Sequence, residues 1–197
     1  MKSDRIAVLA VLSVFTIALA GFSIFLMQAP QDIEQTAAIG GPFHLVDDRG
    51  RAVTDADLRG KPSLVYFGYT YCPEICPTTL NDMAGWIRGL GADASKFNFV
   101  FVTIDPERDT QKVMHAYVSS FDPRIRGFTG SLKQVATAAN AYRVYFKRVP
   151  EPGGSYSMDH STSVYVMDAK GHYFDHIAYQ EDEKSVLQKL HAVLSAG

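Results

Sequence analysis

The chain has 197 residues, 47% hydrophobic and 20% charged, with a formal net charge of -2. That balance describes a globular protein with room for one main core and excludes a disordered chain. With no Lys/Arg cluster along the sequence, the charge pattern also argues against nucleic acid as a partner.

Residues 1–5 form a short cationic start carrying Lys2 and Arg5. The uncharged, mostly apolar stretch Ile6 to Met27 follows. At about 1.5 Å per residue it is long enough to cross a hydrocarbon core of about 30 Å, so a transmembrane helix is expected over residues 6–27. Lys2 and Arg5 precede it, whereas residues 28–38 contain Asp32 and Glu34 and no Lys or Arg. The positive-inside rule then leaves the N-terminus in the cytoplasm and the rest outside, as in a single-pass protein of a bacterial inner membrane with its domain facing the periplasm. The competing reading is a cleaved signal peptide with Ala18-Leu19-Ala20 as its small-residue site; either reading exports the domain.

Residues 28–39 read as a linker, and residues 40–197 as the folded domain. Phe43–Val46 and Ala52–Thr54 flank the turn signal Asp47-Asp48-Arg49-Gly50 and predict a hairpin. Ser63–Tyr69 is an apolar, β-branched and aromatic run, as expected of a strand buried on both faces. Thr78–Leu90 has helical periodicity, with Gly91 just past its end. Phe97–Ile104 predicts a second buried strand, Asp109–Phe121 a helix capped by Asp109 or Thr110, and Leu132–Tyr142 another helix. Residues 149–159, rich in Gly and Pro, read as a long loop. Ser163–Asp168 and Tyr173–Ile177 predict a hairpin around Asp168-Ala169-Lys170-Gly171, and Glu181–Leu194 a closing amphipathic helix. This order is that of an α/β, thioredoxin-like sandwich.

The only two cysteines, Cys72 and Cys76, fall between the first buried strand and its helix, in Cys72-Pro73-Glu74-Ile75-Cys76-Pro77. Ligands gather at that end of an open α/β sheet. Three readings are open: a structural disulfide, a redox couple, or part of a metal site. A bridge closing so short a loop restricts the unfolded chain little, which disfavours a purely structural role. Pro77 is expected at the first helical position, making Cys76 the cap, where the positive end of the helix favours a thiolate. Of the six histidines, His160 stands out because it lies at a loop-to-strand junction facing the cysteine end of the sheet. Asp159 beside it could orient the imidazole. Asp105, after the second buried strand, either shapes a turn with Pro106 or faces the same sheet end.

Together, Cys72-Pro73-Glu74-Ile75-Cys76-Pro77-Thr78-Thr79-Leu80, Thr103-Ile104-Asp105-Pro106-Glu107-Arg108-Asp109-Thr110, Gly127-Phe128-Thr129-Gly130 and Asp159-His160-Ser161 resemble the SCO/SenC family over roughly residues 40 to 195. Members are membrane-anchored, thioredoxin-like copper proteins that help assemble the CuA site of cytochrome c oxidase. The resemblance implies that Cys72, Cys76 and His160 bind one copper ion, with Asp105 near the site. It also implies the CuA-bearing oxidase subunit as partner and an upstream protein as copper donor. Tyr71 departs from relatives that carry His before the first cysteine, which removes a possible auxiliary ligand.

The donor types agree with copper, since two thiolates suit Cu(I) and an added imidazole also suits Cu(II). Structural zinc would require a fourth ligand, for which His44, Met158 or water are the candidates. Met158 is also a candidate transient copper contact. The competing function is a membrane-tethered thiol-disulfide oxidoreductase using Cys72 and Cys76 as its redox pair on the oxidase subunit or another exported partner. His160 separates the two, because thiol exchange does not need it. A peroxidase is weaker still, since it would use one activated cysteine without a partner in the next turn.

Overall fold

The computed structural model describes residues 39–196. The expected membrane anchor over 6–27 and most of the linker lie outside the described residues. Among the described residues, no helix is long and apolar enough to cross a membrane.

The predicted first hairpin is present as β1 (His44–Asp47) and β2 (Ala52–Thr54). Asp47 closes its turn by accepting the Arg49 and Arg51 N–H groups. Strand β3 (Ser63–Gly68) is buried at every position, and β4 (Asn98–Thr103) at all but its first. They pair in parallel, with Gly68 opposite Thr103. A third parallel strand, β5 (Ile125–Thr129), pairs with β4, an element the sequence reading did not assign. It escapes notice because Arg126 and Gly127 break a run of only five residues, yet both faces are covered. Helix α1 (Ile75–Leu90) connects β3 to β4, α2 (Gln111–Ser119) connects β4 to β5, and α3 (Leu132–Ala141) follows β5. After them come a two-stranded hairpin, β6 (Phe146–Pro150) with β7 (Tyr156–His160), and then the antiparallel pair β8 (Val164–Met167) and β9 (Tyr173–Ile177). Helix α4 (Glu183–Ser195) closes the chain.

The main sheet runs β2-β1-β5-β4-β3-β8-β9 among the described residues. The parallel strands sit at its centre, where full burial on both faces removes most apolar surface from water. Tyr66, Phe67, Phe99, Phe101 and Phe128 are each at most 2% exposed and form the aromatic middle of the core. Thr110, rather than Asp109, caps α2 by accepting the Val113 N–H. Ser131 and Gln134 form a capping box at the start of α3.

Glu181, just before α4, ties that helix to the sheet edge. Its carboxylate accepts from Lys189 Nζ, the Ala178 N–H at 3.0 Å and the Ser185 hydroxyl at 2.8 Å. Burial pushes the carboxyl up, but these donors outweigh it and bring its pKa to about 2 from an unfolded value of 4.5. The stabilisation is therefore complete above pH 4.5 and lost as pH falls toward 2. Glu181→Gln is expected to cost about 1–2 kcal/mol at pH 7, after allowing for solvent screening, and to cost progressively less across that acid window. Urea unfolding at pH 7 and pH 3 checks it; an equal loss at both would remove the ion-pair explanation.

Candidate metal centre

Strand β3 ends on Gly68, and the chain crosses the top of the sheet through Thr70 and Cys72 before entering α1. The helix starts two residues earlier than expected: Glu74 is the cap and Thr78 N–H makes a 3.1 Å bond to the Glu74 carbonyl. Pro77 therefore stands at the third helical position rather than the first. It fits there equally well, because none of the first four N–H groups of a helix has an internal partner.

This shift reverses the roles expected of the two thiols. Cys76, inside the first turn, is 0% exposed, whereas Cys72 is 9% exposed at the cleft. The helix N-terminus serves Cys72 instead: the Cys76 N–H donates to Cys72 Sγ at 3.4 Å. The Cys76 thiol is the strongest influence lowering the Cys72 pKa, followed by His160 and the N–H groups of Cys76 and Glu74, which together outweigh partial burial. Burial and then the neighbouring Cys72 sulfur push the Cys76 thiol up. The first thiolate therefore forms on Cys72 and not on Cys76, because the Cys76 side chain turns into the core while Cys72 lies over the unpaired N–H groups.

Gly68 makes room for this arrangement. A Cβ there would lie 2.7 Å from Cys76 Sγ and 2.8 Å from the Phe101 ring. Gly68→Ala is expected to cost about 1–3 kcal/mol through overpacking and to push the sulfur out of line with its partners. Thermal unfolding of the free domain, compared with metal titration of the same variant, checks both effects. An unaltered melting temperature would mean that the sulfur has slack the geometry does not show.

His160 ends β7 and approaches from the opposite side, with Nε2 3.6 Å from Cys76 Sγ. The residues read as a long loop are in fact the β6–β7 hairpin, with Phe146 opposite His160 and Pro150 opposite Tyr156. The sequence hid it because Pro150, Pro152, Gly153 and Gly154 crowd its turn, although the pairing strands flank them. The His160 Nδ1–H donates to the Ser161 carbonyl at 2.7 Å, so Nε2 presents its lone pair to the sulfurs. Ser161 is fixed in turn, its N–H donating to the Tyr145 carbonyl at 3.0 Å and its hydroxyl accepting the Tyr145 N–H at 3.1 Å. Tyr69 stands edge-on to the imidazole, with ring centroids 5.8 Å apart. The ring is thereby held in orientation before any metal arrives.

The donor atoms of Cys72, Cys76 and His160 all lie within 4.8 Å of one another, and they form the one such cluster of His, Cys, Asp and Glu among the described residues. Cys72 and His160 open onto a cleft of about 570 Å³ that Met158 and Asp159 also line, with Cys76 buried behind them. His44 is on β1, separated from β3 by β5 and β4. Asp159 is exposed on β7, opposite Lys147, while the imidazole Nδ1–H is taken by Ser161. Asp105 is 3% exposed, its carboxylate accepting from Arg108 Nε and, at 2.9 Å, from the Tyr156 hydroxyl. Arg108 lies over the Tyr156 ring and its Nη1 donates to the Tyr156 carbonyl at 2.9 Å. Asp105 thus joins the β4–α2 turn to the turn end of the hairpin whose other end carries His160.

Asp109, read from sequence only as a possible cap, has a larger role. Wholly buried, it accepts from the Thr70 N–H at 3.0 Å, the Thr70 hydroxyl at 2.6 Å and the Thr103 hydroxyl at 2.6 Å. It ties the segment before Cys72 to the end of β4. The signal in the sequence was an acidic residue flanked by threonines on two neighbouring strand ends, which only the parallel register brings together.

Two thiols and an imidazole converging at a helix N-terminus, beside a central parallel sheet, define a thioredoxin-like domain with a Cys2His metal-binding site. The chain belongs to the SCO1/SenC family, whose sequence profile matches residues 31–195. It is 39% identical over 164 residues to the mitochondrial SCO2 protein of Saccharomyces cerevisiae, covering 82% of this chain and 54% of that one. To the mitochondrial SCO1 protein of the same yeast it is 40% identical over 159 residues, covering 78% and 53%. The chain thus spans about half the length of these yeast proteins. The structure of Bradyrhizobium japonicum ScoI with copper bound is 44% identical and superposes with a TM-score of 0.75, covering 79% of this chain and 99% of that one.

Proposed function

We propose that this protein is a copper metallochaperone: it holds one copper ion per chain through Cys72, Cys76 and His160 and delivers it to the CuA site of cytochrome c oxidase during assembly. The observation that carries this reading is the convergence of three donors from two separate elements, the β3–α1 crossing and the end of β7, beside a cleft that Cys72 and His160 line. Two thiolates and one imidazole match Cu(I) and Cu(II), and the free approach through the cleft leaves room for an incoming ligand from a partner. Copper bound to the B. japonicum relative supports the metal. Release would begin at His160, which sits on the small hairpin rather than on the main sheet. The CuA-bearing subunit as recipient, an upstream copper donor, and attachment through residues 6–27 to a bacterial inner membrane with the domain in the periplasm complete the proposal.

One observation favours a second reading. Cys72 is the more exposed thiol, its pKa is lowered, and the buried Cys76 sulfur lies beside it. That is the arrangement of an attacking and a resolving cysteine, suited to reducing a client disulfide.

Metal analysis of the reduced domain, after gel filtration in the presence of a competing chelator, tests the primary reading. One copper per chain is expected, and His160→Ala should weaken Cu(II) retention much more than Cu(I), which two thiolates hold without help. Equal loss of both oxidation states would contradict the division of roles.

A further inference from the structure

Tyr66 lies on β3 directly beneath the metal centre and is 0% exposed. Its ring is wedged between Phe101, with centroids 5.8 Å apart, and His160, at 6.3 Å. Phenylalanine would fill that volume equally well, so packing alone does not account for the hydroxyl. A buried O–H without a partner costs free energy; here the Tyr66 hydroxyl lies beside the Thr79 hydroxyl and donates to the metal-ligand sulfur, Cys76 Sγ, at 3.6 Å. The sulfur is already constrained on its other sides by Gly68 and by His160 Nε2 at 3.6 Å. Cys72 and the Tyr69 N–H also border the sulfur, and Tyr66 brings a side-chain hydroxyl to it.

We propose that Tyr66 sets the Cu(I)/Cu(II) preference of the site by donating a hydrogen bond to the Cys76 thiolate, and this rests on the copper reading above. A donor aimed at a ligating thiolate withdraws electron density from sulfur and weakens its donation to the metal. Cu(II), which depends more on that donation, loses more than Cu(I). The couple concerned is one electron added to Cu(II) to give Cu(I), with both thiolates and the imidazole keeping their protonation. Tyr66 is a positioning residue: it acts through Cys76 and touches no cargo. Without it, two thiolates and an imidazole would form a more electron-rich site that retains Cu(II) more firmly. Its location on the central strand, rather than on the hairpin with His160, means that the bias persists while His160 moves.

The test compares wild type, Tyr66→Phe and a protein with 3-fluorotyrosine at position 66, each loaded with copper and measured by protein-film or mediated voltammetry and by absorption of the Cu(II) form. Tyr66→Phe is expected to lower the ratio of Cu(I) to Cu(II) affinity about tenfold, a fall of about 59 mV in midpoint potential for one electron. Its sulfur-to-Cu(II) charge-transfer band should move to longer wavelength. Fluorotyrosine, a more acidic donor of nearly the same shape, should move both quantities the opposite way; it decides the matter if Tyr66→Phe fails to fold. Tyr142→Phe, at a buried tyrosine that packs against Phe67 and Tyr165 away from the metal centre, should leave the band in place. A copper-loaded Tyr66→Phe or fluorotyrosine protein whose midpoint and band match wild type would overturn the inference while leaving the copper reading intact. A wild-type domain that retains no copper would overturn both.

Discussion

Cys76→Ala is expected to weaken copper binding by at least about a thousandfold, corresponding to roughly 4 kcal/mol. Of the three donors, Cys76 is central: it lies 3.6 Å from His160 Nε2, its N–H holds Cys72 Sγ, and its own sulfur is enclosed by Gly68 and Tyr66. Removing the sulfur leaves one thiolate and one imidazole with a void between them, and no other His, Cys, Asp or Glu donor completes a cluster among the described residues. The fold should survive, since losing one buried sulfur atom creates a small cavity costing about 1–2 kcal/mol. Copper retention per folded chain, measured against a chelator of graded concentration, separates the two effects. Wild-type retention by the folded variant would place the metal elsewhere.

The second large effect is expected in the cell. A His160→Ala strain should lose most oxidase activity although both thiols remain, and added copper should restore part of it by mass action on a weakened site. The structure gives a reason to expect a folded variant: His160 is at the end of a two-stranded hairpin outside the main sheet, so its loss removes a donor and one flank of the Tyr66 ring while the strands of the main sheet stay paired. If dithiol exchange were the function, the same strain would keep its activity, because the imidazole gives nothing to sulfur exchange beyond its influence on the Cys72 thiol. Either cysteine variant would then fail and be rescued by an added thiol reductant. Near-normal oxidase activity in His160→Ala without added copper would move the assignment to the reductase.

The central strands, the flanking helices and the placement of both cysteines above β3 were legible because buried parallel strands announce themselves as continuous apolar runs. His160 was legible only through its position and the resemblance of Asp159-His160-Ser161. What orients it was not: sequence pointed to the charged Asp159, whereas a main-chain carbonyl at Ser161 takes Nδ1–H, and carbonyl direction leaves no mark on residue type. The thiolate was assigned to the wrong cysteine for a related reason. Proximity to a helix end is visible in sequence, but which sulfur faces outward depends on where the first turn begins, and Pro77 is compatible with several starts. Tyr66 and Gly68 were absorbed into a strand pattern, since burial and function impose the same apolar signature there. Asp109 belonged to a motif that also makes an ordinary turn, and its partners Thr70 and Thr103 become neighbours only through the parallel pairing of β3 and β4.

Copper transfer itself is the most direct test. The wild-type domain, reduced and carrying one equivalent of copper, is mixed with the metal-free, reduced CuA-bearing domain of the oxidase subunit, and the two are separated and analysed for copper and for free thiols. If the protein is a copper chaperone, copper leaves Cys72, Cys76 and His160 and appears on the client, while the thiol count of both proteins is unchanged. Copper that stays on this protein, together with a copper-free domain that converts an oxidised client to its dithiol while Cys72 and Cys76 become a disulfide, would contradict it.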